Sequence, residues 1–173
     1  MLLLNLIGGT LIMIFIKTNR LLLRNFQSED LNTLFNYRND LNCSKYQRWE
    51  NSSLEYLESL IQQNKSLKIL DKKTLQLAIA INSTNEIVGD IYIGFKNKTI
   101  TLGYTIDSKY QRKGYAYEIL KSLIDYVFDT FPQHEIVCMV HPDNEPSLQL
   151  LKKLNFKDEG YEKSIESIVY SLS

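Results

Sequence analysis

Proline is scarce in this chain, with three among 173 residues, and the seven glycines are dispersed. No Gly-x-x-x-x-Gly-Lys-Ser/Thr run occurs, which excludes a P-loop, and no Gly-x-Gly-x-x-Gly, which excludes the dinucleotide fingerprint. There are only two cysteines, Cys43 and Cys138, and neither stands in a Cys-x-x-Cys or metal-ligand spacing. Two reduced thiols in a cytoplasmic protein are expected, one of them buried in a strand, and no metal. Net charge is also lacking, because 20 basic side chains offset 20 acidic ones. No basic excess points to nucleic acid and no acidic tract to disorder. A charged ligand must therefore be held by a local arrangement.

No hydrophobic run is long enough for a comfortable membrane span. The uncharged start, residues 1–16, lacks the basic residues and the small-residue cleavage site of a secretory signal. Met13 offers a second start that leads directly into strand-like residues. Residues 1–12 thus read as an N-terminal extension and residues 13–173 as one domain. An extra strand or a dimer-covering arm is the second reading, and a membrane anchor the last. A hydrophobic content of 44% over this length suits one globular domain.

Periodicity gives the order of elements. Leu21 to Arg24 reads as a strand. Ser28-Glu29-Asp30 starts a helix that Leu31, Leu34, Phe35 and Leu41 continue. A polar, aromatic loop runs from Lys45 to Asn51. Ser52 and Glu55 form a capping box before the helix of Leu54, Leu57, Leu60 and Ile61. The period then changes to two. Strands over 76–81, 87–95 and 99–106, joined by short turns, make an antiparallel meander. A long helix follows Gly114 and ends at Pro132. Residues 136–140 are a buried strand, parallel to 99–106 or nearly so. A helix over 146–154 and strands near 156–161 and 165–172 close a mixed α/β domain.

Chemistry concentrates between Thr101 and Leu120. A helix N-terminus offers unpaired N–H groups and a partial positive charge, to which phosphates bind readily. Gly114 allows close backbone approach, Ala116 is small, and Arg112 and Lys113 add charge at the loop mouth. The segment Gln111-Arg112-Lys113-Gly114-Tyr115-Ala116 reads as a diphosphate cradle built mostly of backbone.

Gln111-x-x-Gly114-x-Ala116 resembles the acyl-CoA motif of the GCN5-related N-acetyltransferase (GNAT) family. Leu102-Gly103-Tyr104, Asn144-x-x-Ser147, Leu154-Asn155-Phe156, the opening Thr18 to Arg24 and the Tyr46-Gln47-x-Trp49 loop are similar to the branch that acetylates ribosomal-protein alanine and serine termini. The resemblance covers roughly residues 14–170. It implies a mostly antiparallel sheet with flanking helices and a central parallel pair, 99–106 and 136–141, splayed at a bulge. Acetyl-CoA is the implied cosubstrate. Its pantetheine arm would lie along Tyr104, Thr105 and Ile106, its phosphates at residues 111–116, with Asn144 and Ser147 also touching it. A backbone N–H near Gly103 or Tyr104 would polarise the thioester carbonyl. An amine, either a protein N-terminus or a small molecule, would attack directly. The alternative is an acyl-CoA sensor with little turnover.

Relatives often carry a Tyr acid where Leu151 stands, so Ser147 becomes the candidate donor; it could equally hold the pantetheine only. Glu50, Asp90 and His141 are candidates for the base. Asp90 could instead face solvent by strand alternation, and His141 could cap the Asp143–Asn144 turn. Tyr46, Trp49, Glu50 and Asp90 are expected to line the acceptor pocket. The C-terminal strands and the hydrophobic arm are the surfaces through which a homodimer would form. Asn155 replaces a common Gly at a helix end that wants a left-handed residue.

Overall fold

The structure, a computed structural model, describes residues 3–7, 10–49 and 52–173. The strands are β1 (Leu3–Ile7), β2 (Thr10–Lys17), β3 (Leu21–Arg24), β4 (Leu75–Ile81), β5 (Ile87–Lys96), β6 (Thr99–Ile106), β7 (Glu135–Val140), β8 (Lys157–Glu162) and β9 (Ser167–Leu172). The helices are α1 (Leu31–Arg38), α2 (Leu41–Ser44), α3 (Leu54–Asn64), α4 (Tyr115–Thr130) and α5 (Glu145–Lys153). Among the described residues the strands form one sheet, in the order β1-β2-β3-β4-β5-β6-β7-β9-β8. Every neighbouring pair is antiparallel except β6 with β7.

Side-chain alternation divides the core into two layers. On one face Leu22, Ala78, Ala80 and Ile87 pack under Leu34, Tyr37, Leu57 and Ile61 of α1 and α3. On the other face Leu77, Ile79, Ile91, Ile93 and Leu102 pack under Ile119, Leu120, Leu123 and Val127 of α4, beside Leu148 and Leu151 of α5. Phe131 caps α4, and its N–H bonds the Val127 carbonyl just before Pro132. Gly89 is needed where β5 meets β6, because a Cβ there would lie 2.0 Å from the Thr105 carbonyl oxygen.

Three local expectations change. The helix through Leu41 stops at Arg38, because Asp40 caps a new turn by accepting from the N–H groups of Asn42 and Cys43. Leu41 is left exposed. The cap of α3 is Ser53, one residue after Ser52; its hydroxyl accepts the Tyr56 N–H. The register of β6 against β5 is unbroken, so the parallel pair diverges without a bulge in β6. The nearby register shift falls between β4 and β5, where Val88 is passed over. The uncharged start supplies β1, which pairs with β2; β2 itself runs across residues 12 and 13.

Candidate active site

The parallel strands β6 and β7 pair only at Thr99–Glu135, Ile100–Ile136 and Thr101–Val137. Beyond that point β6 stays on β5 as far as Ile106, and β7 stays on β9 as far as Val140. A gap opens between them. The Asp107 N–H donates to the Val88 carbonyl at 2.9 Å, so residue 107 turns its peptide groups toward β5. Strand alternation then turns Thr105 toward β5, and Tyr104 and Ile106 toward the gap. Both gap-facing carbonyls are already engaged: Tyr104 O accepts from Gln47 Nε2 at 3.3 Å and Ile106 O from Gln111 Nε2 at 3.0 Å. The Tyr104 and Ile106 N–H groups have no protein acceptor among the described residues. This edge of β6 is a row of donors.

At the C-terminal end of β6 the chain turns through residues 107–114 into α4. Arg112 (φ 59°) and Gly114 (φ 78°) both adopt the left-handed conformation. For Gly114 this is the conformational freedom only glycine has at little cost. Glu118 is the first residue of the helix whose N–H finds a carbonyl, that of Gly114. Among the described residues no protein acceptor takes the N–H groups of residues 111–117. Beneath this tip Glu118 accepts from the Thr18 hydroxyl (2.6 Å), the Arg20 N–H (3.0 Å) and Arg20 Nε (2.6 Å). Arg20 Nη1 also donates to the Lys113 carbonyl at 3.0 Å, and its guanidinium covers the Tyr115 ring. The Lys113 ammonium lies 4.9 Å from the centre of the Tyr110 ring. Gln111 thus ties the loop to β6, while Arg112 to Ala116 form the tip itself.

Across the gap Asn144 caps α5, and its side-chain oxygen accepts the Ser147 N–H. The Tyr104 hydroxyl reaches over from β6 to lie 2.6 Å from the Ser147 hydroxyl. Burial pushes the Tyr104 phenol well above its ordinary range, with the Ser147 hydrogen bond pulling the other way. Tyr104 is therefore a neutral donor at any physiological pH. Cys138 lies buried on the same face, and burial raises its thiol to about 12. Leu151 is core.

Four consecutive loop residues bridge the opening. Tyr46 stacks on His141 at the end of β7, with ring centres 5.3 Å apart. Gln47 holds β6 at Tyr104. Arg48 donates to the Ser167 hydroxyl at the start of β9 (2.9 Å). Trp49 lies against the guanidinium of Arg38 in α1, 4.7 Å from it.

Of the candidate bases, Glu50 lies outside the described residues. Asp90 does not face solvent. It is 2% exposed, accepts from Tyr37 Oη (2.6 Å) and Gln76 Nε2 (2.9 Å), and has Arg38 Nη2 at 3.5 Å. Asp90 alternates with Ile91 and Ile93, which face α4, and so faces the opposite layer, where Tyr37 and Arg38 of α1 cover it. His141 does cap the turn, its Nδ1 accepting the Asp143 N–H at 3.1 Å. That places the proton of the neutral ring on Nε2, so neither nitrogen has a free lone pair while the cap holds. Among the described residues no group of three or more His, Cys, Asp or Glu could hold a metal, and no helix is long and apolar enough to cross a membrane.

Gln47 and Arg20 stand in the sequence motifs with no role assigned to them, and Arg38 and Glu118 stand outside those motifs. Glu118 at the fourth position of a helix that starts at a glycine was a visible sign. The partner of Arg38 lies on a strand 52 residues away, for which the sequence carried no signal.

Comparison with known proteins bears on this geometry. Residues 20–157 match the model of the acetyltransferase (GNAT) domain. An N-acetyltransferase of Bacillus licheniformis, p20, is 31% identical over 155 residues, covering 85% of this chain and 86% of its own. The [ribosomal protein uS5]-alanine N-acetyltransferase of Escherichia coli is 42% identical over 62 residues, or 36% of this chain and 32% of its own. The solved structure of a GNAT-family acetyltransferase from Bacillus anthracis superposes with a TM-score of 0.77 at 25% identity, covering 92% of this chain and 98% of that one. With a helix tip of free amides beside a half-opened strand pair, the chain belongs to the GNAT family of acetyl-CoA-dependent N-acetyltransferases.

Proposed function

We propose that the protein acetylates the α-amino group of a peptide or protein. The observation that carries this reading is that neither described candidate is free to act as base: Asp90 is buried and bonded, and His141 has its lone pair engaged. The acceptor must then arrive neutral or lose its proton to water. An α-amine, with a pKa of about 7.7–8.0, is neutral in about one molecule in seven at pH 7; an alkyl amine near 10.4 is neutral in about one in 2,500. The similarity to a ribosomal-protein alanine acetyltransferase supports the same acceptor class.

The donor half of the site has assignable parts. The free amides of residues 112–116 receive the diphosphate, and the Arg20–Glu118 clasp fixes the tip that carries them. The N–H groups of Tyr104 and Ile106 receive carbonyl oxygens of the acyl-pantetheine arm, with Tyr104 N–H the candidate for the thioester oxygen. The Thr105 backbone faces β5 and supports the strand. The amine nitrogen bonds to the acetyl carbon, the carbon–sulfur bond breaks, and the thiolate takes a proton through the Ser147–Tyr104 hydroxyl pair, which is re-protonated through water by the proton that the amine releases. Tyr104 thus supplies from β6 the phenol that is lacking at Leu151. Tyr46 and Trp49 border the acceptor side of the gap.

The test is acetyl-CoA-dependent mass shift over a panel of peptides with free and blocked N-termini, together with lysine-only peptides and polyamines. Acetylation confined to free α-amines supports the reading. Binding of acetyl-CoA with thiol release on no amine would favour an acyl-CoA sensor.

A further inference from the structure

Among the described residues two arginines are buried, and they are treated differently. Arg24 is saturated: it donates to Asp30 (2.7 and 3.0 Å), to the Asn25 and Asn85 carbonyls (2.9 Å each) and to Asn85 Oδ1 (2.7 Å). Arg38 is 3% exposed, yet its Nε and Nη2 make no hydrogen bond. Among the described residues its one ion-pair partner is Asp90, at 3.5 Å. That carboxylate is already served by Tyr37 and Gln76. Among the described residues the other buried side-chain polar atoms without a partner are Asn25 Oδ1 and His134 Nδ1, so Arg38 is the charged exception. Buried polar groups are nearly always bonded, and an unpaired donor on a guanidinium carries a large desolvation cost.

The place of Arg38 gives the exception a meaning. Trp49, which covers its flat face, is two residues from Gln47, which holds the Tyr104 carbonyl at the gap. Asp90 is in register with Thr105, the residue next to Tyr104. The unbonded guanidinium edge is itself buried, and it lies one strand from the reacting end of β6, below the loop that borders the acceptor. Its charge is balanced by Asp90, so what it lacks is a hydrogen-bond acceptor more than an anion. A carbonyl oxygen meets that need; an ammonium does not.

We propose that Arg38 is a specificity-determining residue that donates to a backbone carbonyl of the acceptor, selecting peptide-like amines over simple alkyl amines. This rests on the reading of α-amine acetylation and deepens it. The balanced Arg38–Asp90 pair tolerates a neutral carbonyl without leaving a net charge buried, and Trp49 excludes water from the bond.

The experiment compares a free-N-terminal peptide with its isostere, in which an alkene replaces the first peptide bond, at a pH where both amines are neutral. Both are measured with the wild-type protein and with Arg38→Lys, which keeps the charge beside Asp90 and removes the planar fork. Thermal melting and acetyl-CoA binding establish that each protein is folded. The wild type is expected to favour the peptide by about tenfold or more in kcat/KM, the worth of a hydrogen bond to a charged group. In Arg38→Lys that ratio is expected to fall toward one. Equal use of both acceptors by the wild type overturns the proposal, as does a lysine variant that loses activity on both with the ratio intact, since that is a structural role. Turnover of alkyl amines but not of α-amines would sink the parent reading. In that case the peptide and its isostere are compared as inhibitors of alkyl-amine turnover, and equal inhibition constants overturn the role of Arg38.

Discussion

The Tyr104 and Ser147 hydroxyl oxygens lie 2.6 Å apart, one from β6 and the other from the first turn of α5. They span the gap that the parallel strands leave, and 43 residues of sequence separate them. Two hydroxyls that share one proton donor role act as a unit, and units are non-additive under mutation. Tyr104→Phe and Ser147→Ala are each expected to lower kcat by about 10- to 100-fold, the range of general acid–base contributions. The double variant is expected to be little worse than either single one. Steady-state thiol release over the four-protein cycle measures this, and additive losses would show that the two hydroxyls work separately.

The helix tip proposed to receive the diphosphate leans on Glu118. Burial alone would raise its pKa, but the Thr18 hydroxyl, the Arg20 N–H and the Arg20 guanidinium more than offset this and leave it below the ordinary carboxylate value. A carboxylate with a lowered folded-state pKa stabilises the fold above its unfolded pKa, and the contribution is lost as pH falls through the folded value. Urea unfolding between neutral pH and the carboxylate range should show part of the wild type's acid loss missing in Glu118→Gln. The same variant, and Arg20→Met, should raise the KM for acetyl-CoA several-fold with a smaller change in kcat. An unchanged KM in both would detach the clasp from cofactor binding.

If the acceptor supplies its own lone pair, the pH dependence belongs to the acceptor. The lower inflection of kcat/KM is expected to move with the amine pKa when peptides of different N-terminal basicity are compared. An inflection that stays fixed across acceptors would instead identify an enzymic base, and Glu50 would then be the first residue to replace.

Gly89→Ala places a methyl group 2.0 Å from the Thr105 carbonyl oxygen, where the neighbour is backbone and cannot swing away. The strands β5 and β6 must separate to admit it. A loss of about 1–3 kcal/mol is expected from overpacking of this kind, read as a lower denaturant midpoint. Gly103→Ala is a control, since its Cβ would meet only Tyr92 atoms at 3.6 Å or more.

Much of this architecture was legible in the sequence because its signals are local. The meander over β4 to β6, the helix after Gly114 and its stop before Pro132 follow from period and punctuation. Asn155 adopts the left-handed conformation expected of it, with φ 64°. The amide-bearing tip of α4 was legible for the same reason, since a glycine at a helix start announces itself. The polar interior was not. Asp90 alternates within its own strand, but its burial is decided by Tyr37 and Arg38, more than fifty residues earlier. The choice of Ser53 over Ser52 as cap, and the break before Leu41, turned on neighbours of equal local merit.

The parallel contact of β6 and β7 is confined to three residue pairs, and this has a mechanical consequence. The sheet is two plates, β1 to β6 and β7 to β9, joined along a short seam and bound together elsewhere by the helices. A long donor threaded between the plates would act as their mortar. Amide exchange in β7 and β9, far from the phosphates, should then slow when acetyl-CoA is added.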